Sequence, residues 1–130
     1  MQTGLTMTLP NDHDLLAPDG SEVRVLLSLA AGGMAHFRLQ AGQVSRAVRH
    51  RTVGEIWYVL SGSGQMWRSC VDDEHVADLA PGTCLTIPVG TAFQFRAAGS
   101  EPLAVVAATI PPWPGEAEAE LVAGKWAPTV

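Results

Sequence analysis

The chain has 130 residues, about one domain's worth, and 47% of them are apolar, which excludes a disordered protein. Thirteen glycines and nine prolines are spread along it, which argues for many turns between short elements and against a helical bundle. Eight basic and 13 acidic residues leave a net charge of −5, a poor basis for sequence-independent binding to nucleic acid or to an anionic membrane.

Residues 1–20 read as an arm broken by Pro10, Asn11, Asp12, Pro18 and Gly20, with a short edge strand over Leu5 to Leu9. Met1 to Pro10 lacks the basic and apolar regions of a secretory signal, and Pro and Gly interrupt the longest uncharged stretch, so a cytoplasmic protein is expected. From Glu22 the residues alternate. Val23, Val25, Leu27 and Leu29 fall on one side and Glu22, Arg24 and Ser28 on the other, which predicts a strand. Further strands are predicted over Met34 to Gln40, Glu55 to Leu60, Gln65 to Cys70, His75 to Leu79, Thr83 to Ile87, Ala92 to Arg96 and Leu103 to Ile110. Turn residues such as Ala41-Gly42, Ala80-Pro81-Gly82 and Pro88-Val89-Gly90 separate them. Only Glu116 to Ala123 has the composition of a short helix. This spacing predicts an all-β sandwich or barrel over about 22–110, with a tail over 111–130, as one domain. Cys70 and Cys84 have no metal or redox spacing and are expected to be free thiols. The clusters Arg46, Arg49, Arg51 and Glu116, Glu118, Glu120 read as solvated surface. The tail tryptophans, Trp113 and Trp126, are expected to pack back on the barrel or on a second subunit.

Two polar residues stand out among the strands. His50 and Glu55 flank the turn Arg51 to Gly54, just before the apolar run Ile56 to Leu60. An imidazole and a carboxylate suit a transition metal or a proton transfer, and an ordinary surface pair has the same signature. Alternation puts Val48 with His50, Glu55 with Trp57 and Val59, and Phe93 with Phe95, each set on one strand face.

The spacing of Gly42, His50, Glu55 and Gly62, and then of Gly82, Pro88 and Gly90, resembles the two motifs of the cupin superfamily. The strings Glu55-Ile56-Trp57-Tyr58-Val59-Leu60 and Thr86-Ile87-Pro88-Val89-Gly90 are similar to cupins as well. The resemblance implies a double-stranded β-helix, or jelly-roll barrel. It also implies four metal-ligand positions, which fall on Val48, His50, Glu55 and Phe93, so two of the four carry apolar side chains. His36 and Gln65 are the candidate surrogates. The metal chemistry of the family is therefore not carried over: no cofactor is assigned, and a divalent metal is expected at low occupancy at most.

In the cupin register Val48, His50, Glu55, Trp57, Phe93 and Phe95 look into the barrel and form an apolar, aromatic ligand-binding pocket with His50 and Glu55 as polar anchors. The expected function is small-molecule binding. The alternatives are a metal-free isomerase or epimerase with His50 and Glu55 as its catalytic acid–base pair, and an interaction module with a filled barrel. The expected partners are a small-molecule ligand and a second copy of the chain, with no nucleic acid and no membrane.

Overall fold

The computed structural model describes residues 3–130, so the first two residues of the predicted arm lie outside the described residues. Among the described residues eleven strands form: β1 (Leu15–Leu16), β2 (Glu22–Leu29), β3 (Gly32–Leu39), β4 (Val48–His50), β5 (Gly54–Ser61), β6 (Ser63–Cys70), β7 (Asp73–Leu79), β8 (Cys84–Ile87), β9 (Ala92–Ala98), β10 (Leu103–Ile110) and β11 (Ala119–Leu121). They pair antiparallel in two sheets, ordered β1-β2-β3-β10-β5-β8 and β11-β4-β9-β6-β7. Late strands sit between early ones, β10 between β3 and β5 and β9 between β4 and β6. This interleaving gives the jelly-roll architecture.

Period-two patterning fills the space between the sheets. Leu39, Val48, Trp57, Val59, Met66, Ile87, Phe93, Phe95, Leu103 and Val105 form one buried cluster drawn from both. The cross-strand register agrees: Phe37 lies opposite Val105, Trp57 opposite Ala107 and Met66 opposite Phe95. The hairpin from β5 to β6 needs two glycines for different reasons. Gly62 has φ +78°, a left-handed conformation that a side chain rarely adopts. Gly64 has no positive φ; instead, a Cβ there would overlap the Arg96 carbonyl of β9.

The alternation read along β2 fails halfway. Val23 and Val25 lie opposite Phe37 and Ala35, as expected, but Ser28 then lies opposite Gly33. One extra residue on β2 forms a bulge, which moves every later side chain to the other face. Leu27 and Leu29 therefore point outward, and Leu29 is 75% exposed. Val25, although it lies opposite Ala35, is also exposed.

Both ends of the chain depart from expectation. Leu5 to Leu9 forms no strand; β1 forms at Leu15–Leu16 instead. The arm is pinned where Arg24 donates to the Pro10 and Asn11 carbonyls. The predicted helix over Glu116 to Ala123 is a single 3-10 turn, Glu116–Glu118, followed by β11. Pairing β11 with β4 covers the open edge of the second sheet, and that tertiary gain overrides a weak local preference. The two charged clusters meet here instead of facing solvent separately. Arg51 donates to the Ala117 carbonyl and lies 3.8 Å from Glu120, while Glu118 is buried.

Candidate functional site

His50 ends β4 and Glu55 is the second residue of β5, so the intervening turn brings their side chains to one end of the barrel. Alternation then aims Trp57 inward from β5 and Phe93 inward from β9, where it lies opposite Val48. The rings form a connected series. Phe37 stacks on Trp57 at 5.5 Å and 19°, Trp57 meets Phe93 at 6.2 Å and 78°, Phe93 meets His50 at 5.1 Å and 84°, and His50 meets Trp113 at 4.9 Å and 70°. Edge-to-face and offset-stacked contacts of this kind stabilise by about 0.5–1.5 kcal/mol each beyond their buried area.

These groups enclose a cavity of about 60 Å³. At ~10–15 Å³ per water it holds roughly four to six water molecules. Val23, Ala35 and Thr109 complete the wall, and Ala17, Pro18 and Asp19 from the segment before β2 close one side. Val48, His50, Glu55, Trp57 and Phe93 all line the cavity. Phe95 does not: it packs edge-on against Trp57 at 5.0 Å, in the core behind it. The two surrogate ligands are also elsewhere. His36 alternates with Ala35 and Phe37, which line the cavity, and so faces the outside of the sheet. Gln65 accepts from Arg96 and donates to Asp78.

The electrostatics are unusual for so apolar a space. Glu55 is 4% exposed, and its Oε1 accepts one hydrogen bond, from Trp57 Nε1 at 2.8 Å. Burial pushes its carboxyl up to about 7; the Trp57 bond opposes the rise, and the nearby Asp19 adds to it. Asp19 is raised as well, by burial, against hydrogen bonds from Ser21 and the attraction of Arg46. His50 is 4% exposed, and burial lowers its pKa although Glu118 and the Val53 carbonyl favour the charged ring. Its Nδ1 has no hydrogen-bond partner. At neutral pH the cavity wall thus carries an uncharged imidazole and a carboxyl near its midpoint.

Glu118 supports this site from the tail. It accepts hydrogen bonds from Thr52 N–H, from Thr52 Oγ1 at 2.8 Å and from Val53 N–H at 2.7 Å. Burial works against its ionisation, but these bonds, with His50, hold the carboxyl below its ordinary range. Gln94 anchors the tail further on. Its amide donates to the Ser45 and Trp126 carbonyls and accepts from the Lys125 and Trp126 N–H groups. Trp126 packs with Trp67, Ala47 and Ala92, under the Arg96 guanidinium. Asp19, Phe37, Thr109 and Trp113 were not marked as site residues by the sequence pattern. Phe37 alone carried a usable signal, its inward parity with Ala35 and Leu39.

Residues 35–109 match the family model of the cupin domain. No curated protein matches the chain in sequence. Among solved structures, CapF, described with the inhibitor 3-isopropenyl-tropolone, aligns at a TM-score of 0.67 and 16% identity, over 80% of this chain and 32% of its own. The 11S globulin of Wrightia tinctoria, described as revealing an auxin binding site, aligns at 0.67 and 19%, over 78% and 28%. The Bacillus halodurans protein BH2720 aligns at 0.65 and 21%, over 72% and 73%. The chain spans about a third of CapF and little more than a quarter of the globulin. These similarities support the fold alone.

The metal that the fold family implies meets a poor donor set. At the four positions of the motif, Val48 and Phe93 offer no donor atom. Glu55 Oε1 is engaged by Trp57, and no group of three or more His, Cys, Asp or Glu suited to a metal ion occurs among the described residues. A catalytic divalent site normally uses three protein ligands, so these residues do not fit one.

The raised Glu55 pKa sets a stability signature. Between pH 4.5 and about 7 the folded protein keeps the Glu55 proton that the unfolded chain releases. This contribution is full below pH 4.5 and is lost as pH rises through about 7, a fall of about 3 kcal/mol. Urea unfolding of the wild type and of Glu55→Gln at pH 5, 6, 7 and 8 measures it. The difference between the two proteins shifts in favour of Glu55→Gln as pH rises, and a pH-independent difference contradicts the assignment.

Proposed function

This chain belongs to the cupin domain family, and from that premise we propose that it is a small-molecule-binding cupin with a degenerate metal site, using His50 and Glu55 as the polar anchors of an aromatic pocket. The observation that carries the reading is the cavity wall. Val48 and Phe93, at two ligand positions of the family motif, are apolar and line the same space as His50 and Glu55. A mostly apolar wall with a few convergent polar groups is what a small-molecule site requires. The open space beside His50 favours binding over a filled barrel. The cavity admits a ligand smaller than a typical cofactor, or one small group of a larger molecule.

A homodimer goes with this reading. Ile56, Tyr58 and Leu60 project from the outer face of β5 and are all exposed, as are Ile110 of β10 and Met34 of β3. Their strands are neighbours in one sheet, so the apolar side chains share a face that a second copy would cover. Sedimentation equilibrium is expected to give twice the 13.7 kDa chain mass, and Tyr58→Lys/Leu60→Lys is expected to return the single mass. A wild-type monomer at tens of micromolar rules the dimer out.

Metal analysis tests the degenerate site. Protein purified without chelator is expected to carry well under one equivalent of Fe, Mn, Ni or Zn. The double variant Val48→His/Phe93→His restores four donor side chains and should raise bound Zn toward one equivalent. A full equivalent in the wild type would falsify the proposal.

A further inference from the structure

The pocket has a charge deficit that narrows its ligand. Two carboxyl groups, Glu55 and Asp19, line it, and no Lys or Arg does. They lie close enough for Asp19 to disfavour ionisation of Glu55. No ion pair is made by Glu55 or Asp19 among the described residues. His50, also lining the cavity, is more than nine-tenths buried with Nδ1 unpartnered. A neutral imidazole has one ring nitrogen free to accept a proton-bearing group. The polar contribution of this wall is thus chiefly acceptors: carboxyl oxygens and an imidazole nitrogen.

The rings carry the second observation. Phe37, Trp57, Phe93 and Trp113 surround the same space. Trp57 with Phe93, and His50 with Trp113, meet at 78° and 70°. The four rings line one volume together, and an aromatic wall attracts a cation through its electronegative ring faces. An anion would meet the carboxyls with no cationic side chain to receive it, and a neutral hydrocarbon would leave the acceptors unpaired.

We infer that the pocket takes a small alkylammonium group, a primary or secondary amine in its protonated form, held among the aromatic rings and donating its N–H groups to Glu55 and His50. This rests on the reading of the cavity as a ligand site and adds the ligand's chemical class. The cavity volume of about 60 Å³ suits a head group of a few heavy atoms. The titratable groups facing it are Glu55 from β5, His50 from β4 and Asp19 from the segment before β2, with Arg46 beside Asp19 and Glu118 beside His50.

The test compares three probes matched in size: isopropylammonium, propan-2-ol and acetate. Each is titrated into the wild-type protein while the Trp57 indole N–H signal is followed by NMR. The cation is expected to bind about tenfold more tightly than propan-2-ol, and acetate not at all. Glu55→Gln should abolish the preference for the cation while keeping the propan-2-ol response, which also shows that the variant is folded. Propan-2-ol binding as well as or better than the cation overturns the ligand class but leaves the pocket standing. A preference unchanged in Glu55→Gln does the same. No response to any probe overturns both the ligand class and the pocket.

Discussion

The hydrogen bond from Trp57 Nε1 to Glu55 Oε1 is the contact around which this barrel end is organised. Both groups are almost fully buried, and an indole N–H without a partner there would lose about 1–3 kcal/mol. The bond orients the Trp57 ring, and Phe37 from β3 and Phe93 and Phe95 from β9 pack on it. It leaves the carboxyl with only one donor, too few to offset its loss of hydration. The proton therefore stays on Glu55 to about pH 7. The same contact that fixes the aromatic wall thus sets the charge of the cavity.

The second constraint comes from the tail. Glu118 binds the turn after His50, β11 pairs with β4, and Gln94 holds the backbone at Lys125 and Trp126. Each of these contacts satisfies buried polar groups, so the tail is tied to the barrel at three separated points. This geometry seats Trp113 against His50, where it lines the cavity. The pocket is built by the barrel and finished by the two chain ends.

Much of the fold was legible because its signals are local. Alternation marked the strands, and glycine and proline marked the turns, with Gly62 at the required positive φ. His50, Glu55, Trp57 and Phe93 could be placed on inward faces by parity alone. What stayed hidden depends on distant partners. The bulge that turns Leu27 and Leu29 outward is a matter of register against β3, which β2 alone does not encode. Glu118 looked like one of three surface acids because its partners, Thr52 and Val53, lie far away in sequence. Asp19 and Trp113 enter the site only through the folding back of the arm and the tail. Phe95 shows the limit of parity: sharing a face with Phe93 put it in the core but not at the cavity.

The cavity's charge turns on a carboxyl that is desolvated and held by one indole. The most direct measurement is a ¹³C NMR titration of the Glu55 side-chain carboxyl in metal-free buffer. The structure predicts a midpoint near 7. A midpoint at the ordinary glutamate value of ~4.3 would contradict it, because that carboxylate would have to be solvated or paired with a cation.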